Sequence, residues 1–157
     1  LYTGSIETRK GLEKIFFKYL KLGFSILVIG KVSNTYKMKF SNFPKIKFLG
    51  KKKYTDIHKY YTMCKYGLNY IPDEFPYNVQ YSTKFLEYSA SKLNIVSNKT
   101  IFMKKIYKKY KIKNVYDEDI KSAKDLKNSK FQHINLFNYE WNVVLKTSGL
   151  LKKLCAV

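Results

Sequence analysis

Ser82-Thr83-Lys84-Phe85-Leu86-Glu87-Tyr88-Ser89-Ala90, followed at once by Lys92-Leu93-Asn94-Ile95-Val96-Ser97-Asn98, sets an amphipathic helix directly before a short apolar strand. A hydroxyl pair opens the helix and Glu87 sits inside its second turn. Hydroxyls and free backbone N–H groups at a helix N-terminus suit a phosphate. A carboxylate one turn further in suits the hydroxyls of a ribose. Together they read as a nucleotide diphosphate site. Ser82 also reads as a plain N-cap, and the two roles are compatible.

Working outward, the chain alternates strands with helices. Leu1-Tyr2-Thr3-Gly4 is a short strand ending in a glycine turn, and the next helix carries Leu12, Ile15, Phe16, Tyr19 and Leu20 on one face. Gly23 stops that helix. Ser25-Ile26-Leu27-Val28-Ile29-Gly30 is a continuous apolar run, the pattern of a buried parallel strand. A polar, aromatic-rich connection over 31–44 holds at most a short helix. Ile46-Lys47-Phe48-Leu49-Gly50 is the next strand, and Thr55 or Asp56 is expected to cap a helix with Ile57, Tyr60, Tyr61 and Cys64 on its apolar face. Tyr66 to Pro72 reads as a strand running into a loop, Asp73 to Tyr81. Asn114-Val115-Tyr116 suggests a sixth short strand, 117–130 a loop or weak helix, and Asn138 to Leu154 a terminal helix carrying Trp141, Val144, Leu145, Leu150 and Leu151. This alternation predicts an α/β fold, a Rossmann-like parallel sheet flanked by helices, with right-handed crossovers. Ligands of such sheets sit beyond the carboxyl ends of the strands. Gly4 to Lys10, Gly50 to Tyr54 and Asp73 to Ser82 fall at such ends.

The 157 residues suit one domain with a full core, and 45% hydrophobic content is enough to fold it. A formal net charge of +20 points to anionic partners, or to a lysine-rich coding bias. Cys64 and Cys155 are far apart in the chain, with no metal spacing, and read as reduced thiols of a cytosolic protein. No secretory signal and no apolar run of spanning length is present. A first residue of Leu1 rather than Met suggests a fragment with residues missing upstream. His58 and His133 read as surface residues, and no cluster has metal-ligand spacing. The segment Lys104 to Lys113, KKIYKKYKIK, interleaves lysines with Ile and Tyr. It suits a solvated helix face, an anionic lipid surface or a nucleic acid.

The order of these features resembles the C-terminal, donor-binding domain of GT-B glycosyltransferases, in particular the retaining family-four type. The resemblance rests on Tyr2-Thr3-Gly4 running into Arg9-Lys10-Gly11, then Leu27-Val28-Ile29-Gly30, Ile46-Lys47-Phe48-Leu49-Gly50, Tyr60-Tyr61 and Ser82-Thr83-Lys84-Phe85-Leu86-Glu87-Tyr88. It extends well over residues 1–100 and loosely beyond, to Tyr139-Glu140-Trp141. It implies a single donor-binding domain over 1–157, with a core over 1–100, a peripheral segment over 101–137 and a terminal helix over 138–154. The acceptor domain would precede it in a two-domain enzyme. By resemblance, Lys10 with Arg9 beside it meets the donor diphosphate, Gly4 and Ser5 lie at the same strand end, and Lys84 belongs to the same set. Ser82 and Thr83 meet the phosphate through the helix start, Glu87 binds the ribose, and Leu49 with Tyr54 forms the edge against which the base packs.

Three positions depart from the family. Ser5 stands where an Arg often follows the first Gly, Val79 stands where the paired Glu is expected, and Ser91 and Asn94 replace a Gly-x-Pro. Asp73, Glu74, Asn78 and Gln80 are candidates for the sugar-facing role. The implied activity is transfer of a hexose from a UDP- or GDP-linked donor to a glycan or lipid-linked acceptor in surface polysaccharide synthesis, with retention. The isolated domain is expected to be inactive in transfer. Neither a metal nor a cofactor is expected, nucleic acid is not an expected partner, and the expected location is cytoplasmic or peripheral on the inner face of the membrane. Two other readings stand beside it: a basic nucleic-acid-binding module, and a non-catalytic scaffold that kept the fold.

Overall fold

A computed structural model of the chain describes residues 1–134 other than 8, 80, 81 and 114. The expected helix over 138–154, with Trp141, lies outside the described residues. The fold is α/β, with parallel strands flanked by helices. The strands are β1 (Tyr2–Thr3), β2 (Ile26–Ile29), β3 (Ile46–Phe48), β4 (Tyr66–Asn69) and β5 (Asn94–Ser97). The helices are α1 (Leu12–Lys21), α2 (Asn34–Met38), α3 (Tyr54–Thr62), α4 (Thr83–Ala90), α5 (Ile101–Tyr110) and α6 (Ala123–Asn128).

β1, β2 and β3 form one parallel ladder in spatial order β1-β2-β3, and β4 pairs with β5 in parallel. Leu1 joins the two. Its nitrogen donates to the Tyr66 carbonyl at 2.8 Å, and its carbonyl accepts from Leu68 N–H at 2.8 Å. The strands therefore run in the order 3-2-1-4-5, reversing direction of travel between β1 and β4. This is the order of a doubly wound sheet, whose ligand crevice lies at that reversal. The expected sixth strand is reduced to a parallel bridge between Ser97 and Tyr116. Directly after it, the chain winds into a 3-10 turn over Asp117–Asp119, where buried Asp117 pairs with Lys18 of α1 at 2.9 Å.

Alternation along β1 sets the two layers. Tyr2 packs edge-on against Phe16 of α1, with ring centroids 5.6 Å apart. Thr3 points to the other face and meets Tyr88 of α4, its N–H donating to the phenol oxygen at 2.9 Å. The core follows this division. Leu12, Phe16, Leu20, Val28, Phe40 and Leu126 share one cluster, while Tyr61, Tyr88 and Leu93 share another between α3 and α4. Gly67 lets α4 sit tightly on β4, because a Cβ there would run into the Tyr88 ring.

Three boundaries differ from the sequence reading. α3 begins at Tyr54 with Lys53 at the N-cap and no side-chain cap. Asp56 N–H already bonds the Lys53 carbonyl at 2.9 Å, so Thr55 and Asp56 lie inside the first turn, where Asp56 complements the helix dipole. β4 ends at Asn69, because the Asn98 side chain takes over as partner, accepting from Ile71 N–H at 2.9 Å and donating to its carbonyl at 2.6 Å. The basic run is helical as far as Tyr110, within α5, which starts earlier, at a Thr100 cap that accepts from Met103 N–H at 3.1 Å.

Candidate functional site

The reversal between β1 and β4 brings together the loop before α1 and the start of α4. Ser82 caps α4, accepting from Phe85 N–H at 3.3 Å. Its hydroxyl proton goes to Asn69 Oδ1 at 2.6 Å. Asn69 is completely buried at the end of β4 and donates to Ser97 Oγ of β5 at 3.0 Å, which also accepts from the Tyr107 phenol at 3.2 Å. The hydroxyl of Ser82 is thus committed to anchoring the helix. What α4 offers a ligand is its positive end, the backbone N–H groups of the first turn at Thr83 and Lys84.

Lys84 projects from that turn with its ammonium 5.4 Å from the centre of the Tyr2 ring. Its pKa is lowered to about 8, first by burial and then by the Arg9 guanidinium, while Glu87 opposes the fall. The Arg9 guanidinium carbon lies 4.4 Å above the Tyr77 ring. Its Nε is buried and has no hydrogen-bond partner among the described residues. Two partly desolvated cations therefore lie close enough for one to act on the other.

Lys10 is placed differently. Its side chain is 87% exposed and stands 3.7 Å from the Glu74 carboxylate, a surface pair of small energetic weight. Its carbonyl is the fixed part, accepting from the Tyr70 phenol at 2.6 Å. Gly11 follows with φ +86°, and a Cβ there would collide with that same phenol oxygen. The inward cation of the Arg9-Lys10 pair is Arg9.

Glu87 is half-buried one turn after Lys84, and its Oε2 accepts from the Tyr61 phenol at 2.9 Å. Gly4 and Ser5 are exposed at the end of β1, where the Ser5 carbonyl accepts from the Tyr2 phenol at 2.8 Å. Leu49, half-buried beyond β3, donates its N–H to the Val28 carbonyl at 2.9 Å. Tyr54 is 67% exposed at the start of α3, an open ring on the same strand-end edge. Of the four candidates for a sugar-facing role, Glu74 meets Lys10, Asn78 donates to Asp73 at 3.4 Å, and Gln80 lies outside the described residues.

Asn69, Tyr77 and Tyr61 do not stand out as site residues in the sequence. In the sequence Tyr61 reads as a packing residue on the apolar face of its helix, and nothing local marks Tyr77. Asn69 carried a usable signal: a polar residue closing an otherwise apolar strand run needs a buried partner. Among the described residues no group of three or more His, Cys, Asp or Glu could hold a metal. An apolar cavity of about 580 Å³ opens at the amino-terminal ends of the strands, lined by Phe24, Ile26, Met63, Cys64 and Tyr66, and neither Arg9 nor Lys84 lines it. Among the described residues no helix is long and apolar enough to cross a membrane. No protein family, curated protein or solved structure matches the chain.

Proposed function

We propose that the chain binds a nucleoside diphosphate sugar at the crevice between β1 and β4, as the donor half of a glycosyltransferase. The observation that carries this reading is the pairing of Arg9 with Lys84. Burying two like charges together costs free energy unless an anion joins them. A diphosphate does so, and the first turn of α4 adds its dipole and N–H groups. Glu87 lies one turn further along, where a ribose attached to that diphosphate would present its hydroxyls. In the transfer itself, the bond from the anomeric carbon to the diphosphate oxygen breaks and a bond to an acceptor hydroxyl forms. Arg9 and Lys84 stabilise the charge gathering on the leaving diphosphate. The acceptor and its proton belong to the domain that the resemblance assigns upstream. Retention, the hexose and a lipid-linked acceptor at the membrane surface are carried by the resemblance alone.

The nucleic-acid reading draws less support. On α5, Lys104, Lys105, Lys108 and Lys109 face solvent, but Tyr107 is buried and Tyr110 half-buried. The helix presents charge without the exposed aromatic platform that single strands stack on.

Calorimetric titration of UDP and GDP into the wild type and Glu87→Ala tests the proposal. One nucleotide should bind the wild type and bind the variant at least about tenfold more weakly, the loss expected for charge-assisted hydrogen bonds to the ribose. Equal binding by both proteins would remove Glu87 from the site.

A further inference from the structure

We propose that Tyr61 is a positioning residue that presents Glu87 to the ribose with one carboxylate oxygen already fixed; the inference rests on the nucleotide reading above. α3 has a single buried side chain, Tyr61, which is 3% exposed. Its ring is held edge-on between Tyr88 and His58, with centroids 5.6 and 5.7 Å away. That packing leaves the phenol little freedom, and its hydroxyl reaches across to α4 to donate to Glu87 Oε2 at 2.9 Å.

The backbone of Glu87 is fixed from the other side. The next residue, Tyr88, is completely buried and its phenol oxygen accepts from Thr3 N–H at the end of β1. Burial, reinforced by the Glu87 carboxylate, pushes the Tyr61 phenol well above its ordinary pKa. Tyr61 therefore stays a donor throughout the neutral and mildly alkaline range. With Oε2 engaged, Oε1 is the oxygen assigned to a ligand hydroxyl. An acceptor held before binding loses less conformational freedom on binding. Such a group separates ribonucleotides from 2′-deoxynucleotides, while inorganic pyrophosphate, which meets only Arg9, Lys84 and the helix start, is indifferent to it.

The test is titration of UDP, GDP, their 2′-deoxy counterparts and inorganic pyrophosphate into the wild type, Tyr61→Phe and Glu87→Gln, with thermal unfolding as the folding control. Tyr61→Phe keeps the ring and its packing. It should weaken the preferred ribonucleotide about fivefold, as loss of one hydrogen bond does, and leave the 2′-deoxynucleotide and pyrophosphate unchanged. Glu87→Gln should erase the same discrimination. If Glu87→Gln erases it and Tyr61→Phe does not, the positioning role is overturned and the nucleotide reading stands. A uniform loss for all ligands in Tyr61→Phe also overturns it, because the phenol would then serve packing alone. A wild type that binds pyrophosphate without preferring ribonucleotides removes the ribose role of Glu87, and with it this inference. A wild type that binds none of the ligands removes the nucleotide reading itself.

Discussion

Lys84 carries its charge in a half-buried position beside a second cation, Arg9. Its pKa is lowered to about 8 by burial and by Arg9, so the folded state holds its proton less tightly than the unfolded chain, where a lysine titrates near 10.4. The sign follows from linkage. The stability cost is fully present below about pH 8 and fades as pH rises from there towards the unfolded value. Lys84→Met should therefore raise stability at neutral pH, by roughly 1–3 kcal/mol, while weakening diphosphate binding. Denaturant unfolding and calorimetry on the same variant read both effects, and a variant less stable than the wild type would contradict the burial argument. Binding an anion should lift the Lys84 pKa again, so nucleotide affinity should fall as pH rises through about 8, with net proton uptake measurable in buffers of differing ionisation enthalpy. Arg9 on the Lys84 side and Glu87 one turn on are the charged groups that set this profile. Lys92 offers a separate test. It follows α4 with φ +55°, a left-handed conformation that suits glycine. Lys92→Gly should add about 0.5–1 kcal/mol of stability, read as a higher denaturant midpoint with an unchanged slope.

At the level of elements, the sequence shows where α4 starts but not how it is anchored. A Ser before an apolar stripe is a local signal, and the structure has Ser82 as the cap. The other half of that arrangement, Asn69 to Ser82 and Ser97, joins residues 13 and 28 positions apart and has no local signature. Asn69→Ala should leave the Ser82 hydroxyl proton without its acceptor and Ser97 with the Tyr107 phenol in place of two donors, and cost about 1–3 kcal/mol. It should also weaken diphosphate binding, because the helix end proposed to meet the phosphate is no longer tied to β4 and β5. A nucleotide affinity unchanged in a folded Asn69→Ala protein would show that the anchor does not serve the site. The start of α3 differs from its sequence pattern for a related reason: hydroxyl and carboxylate side chains in a first turn imitate a cap, and only the backbone bond from Asp56 to Lys53 reveals where the turn closes. Arg9 and Lys10 show the same limit. They are adjacent in sequence, and the loop conformation alone turns one into the crevice and the other to solvent.

For the whole molecule, the apolar run of β2 and the alternation of strands with helices were enough to give the parallel α/β architecture, since each strand pattern must be covered by helices on both faces. The order 3-2-1-4-5 was not readable, because it depends on Leu1 bridging β1 to β4. Charge also divides at this scale. The formal net charge of +20 is spread widely, and the exposed lysines of α5 belong to the solvated surface, whereas Arg9 and Lys84 are partly desolvated. Replacing Lys104, Lys105, Lys108 and Lys109 with Gln should leave nucleotide affinity at moderate salt nearly unchanged and reduce retention on a polyanion matrix. A parallel loss of nucleotide affinity would assign the binding to bulk charge, whose interactions salt screens over roughly 8–10 Å.

In the proposed function, Arg9 and Lys84 together hold a diphosphate at the reversal of the sheet. Its most direct test is calorimetric titration of UDP and GDP into the wild type and the double variant Arg9→Gln/Lys84→Met. One nucleotide should bind the wild type, and the double variant, still folded, should bind it at least about tenfold more weakly, a loss of about 1.4 kcal/mol. Equal affinity in the two proteins, or no binding by the wild type, would contradict it.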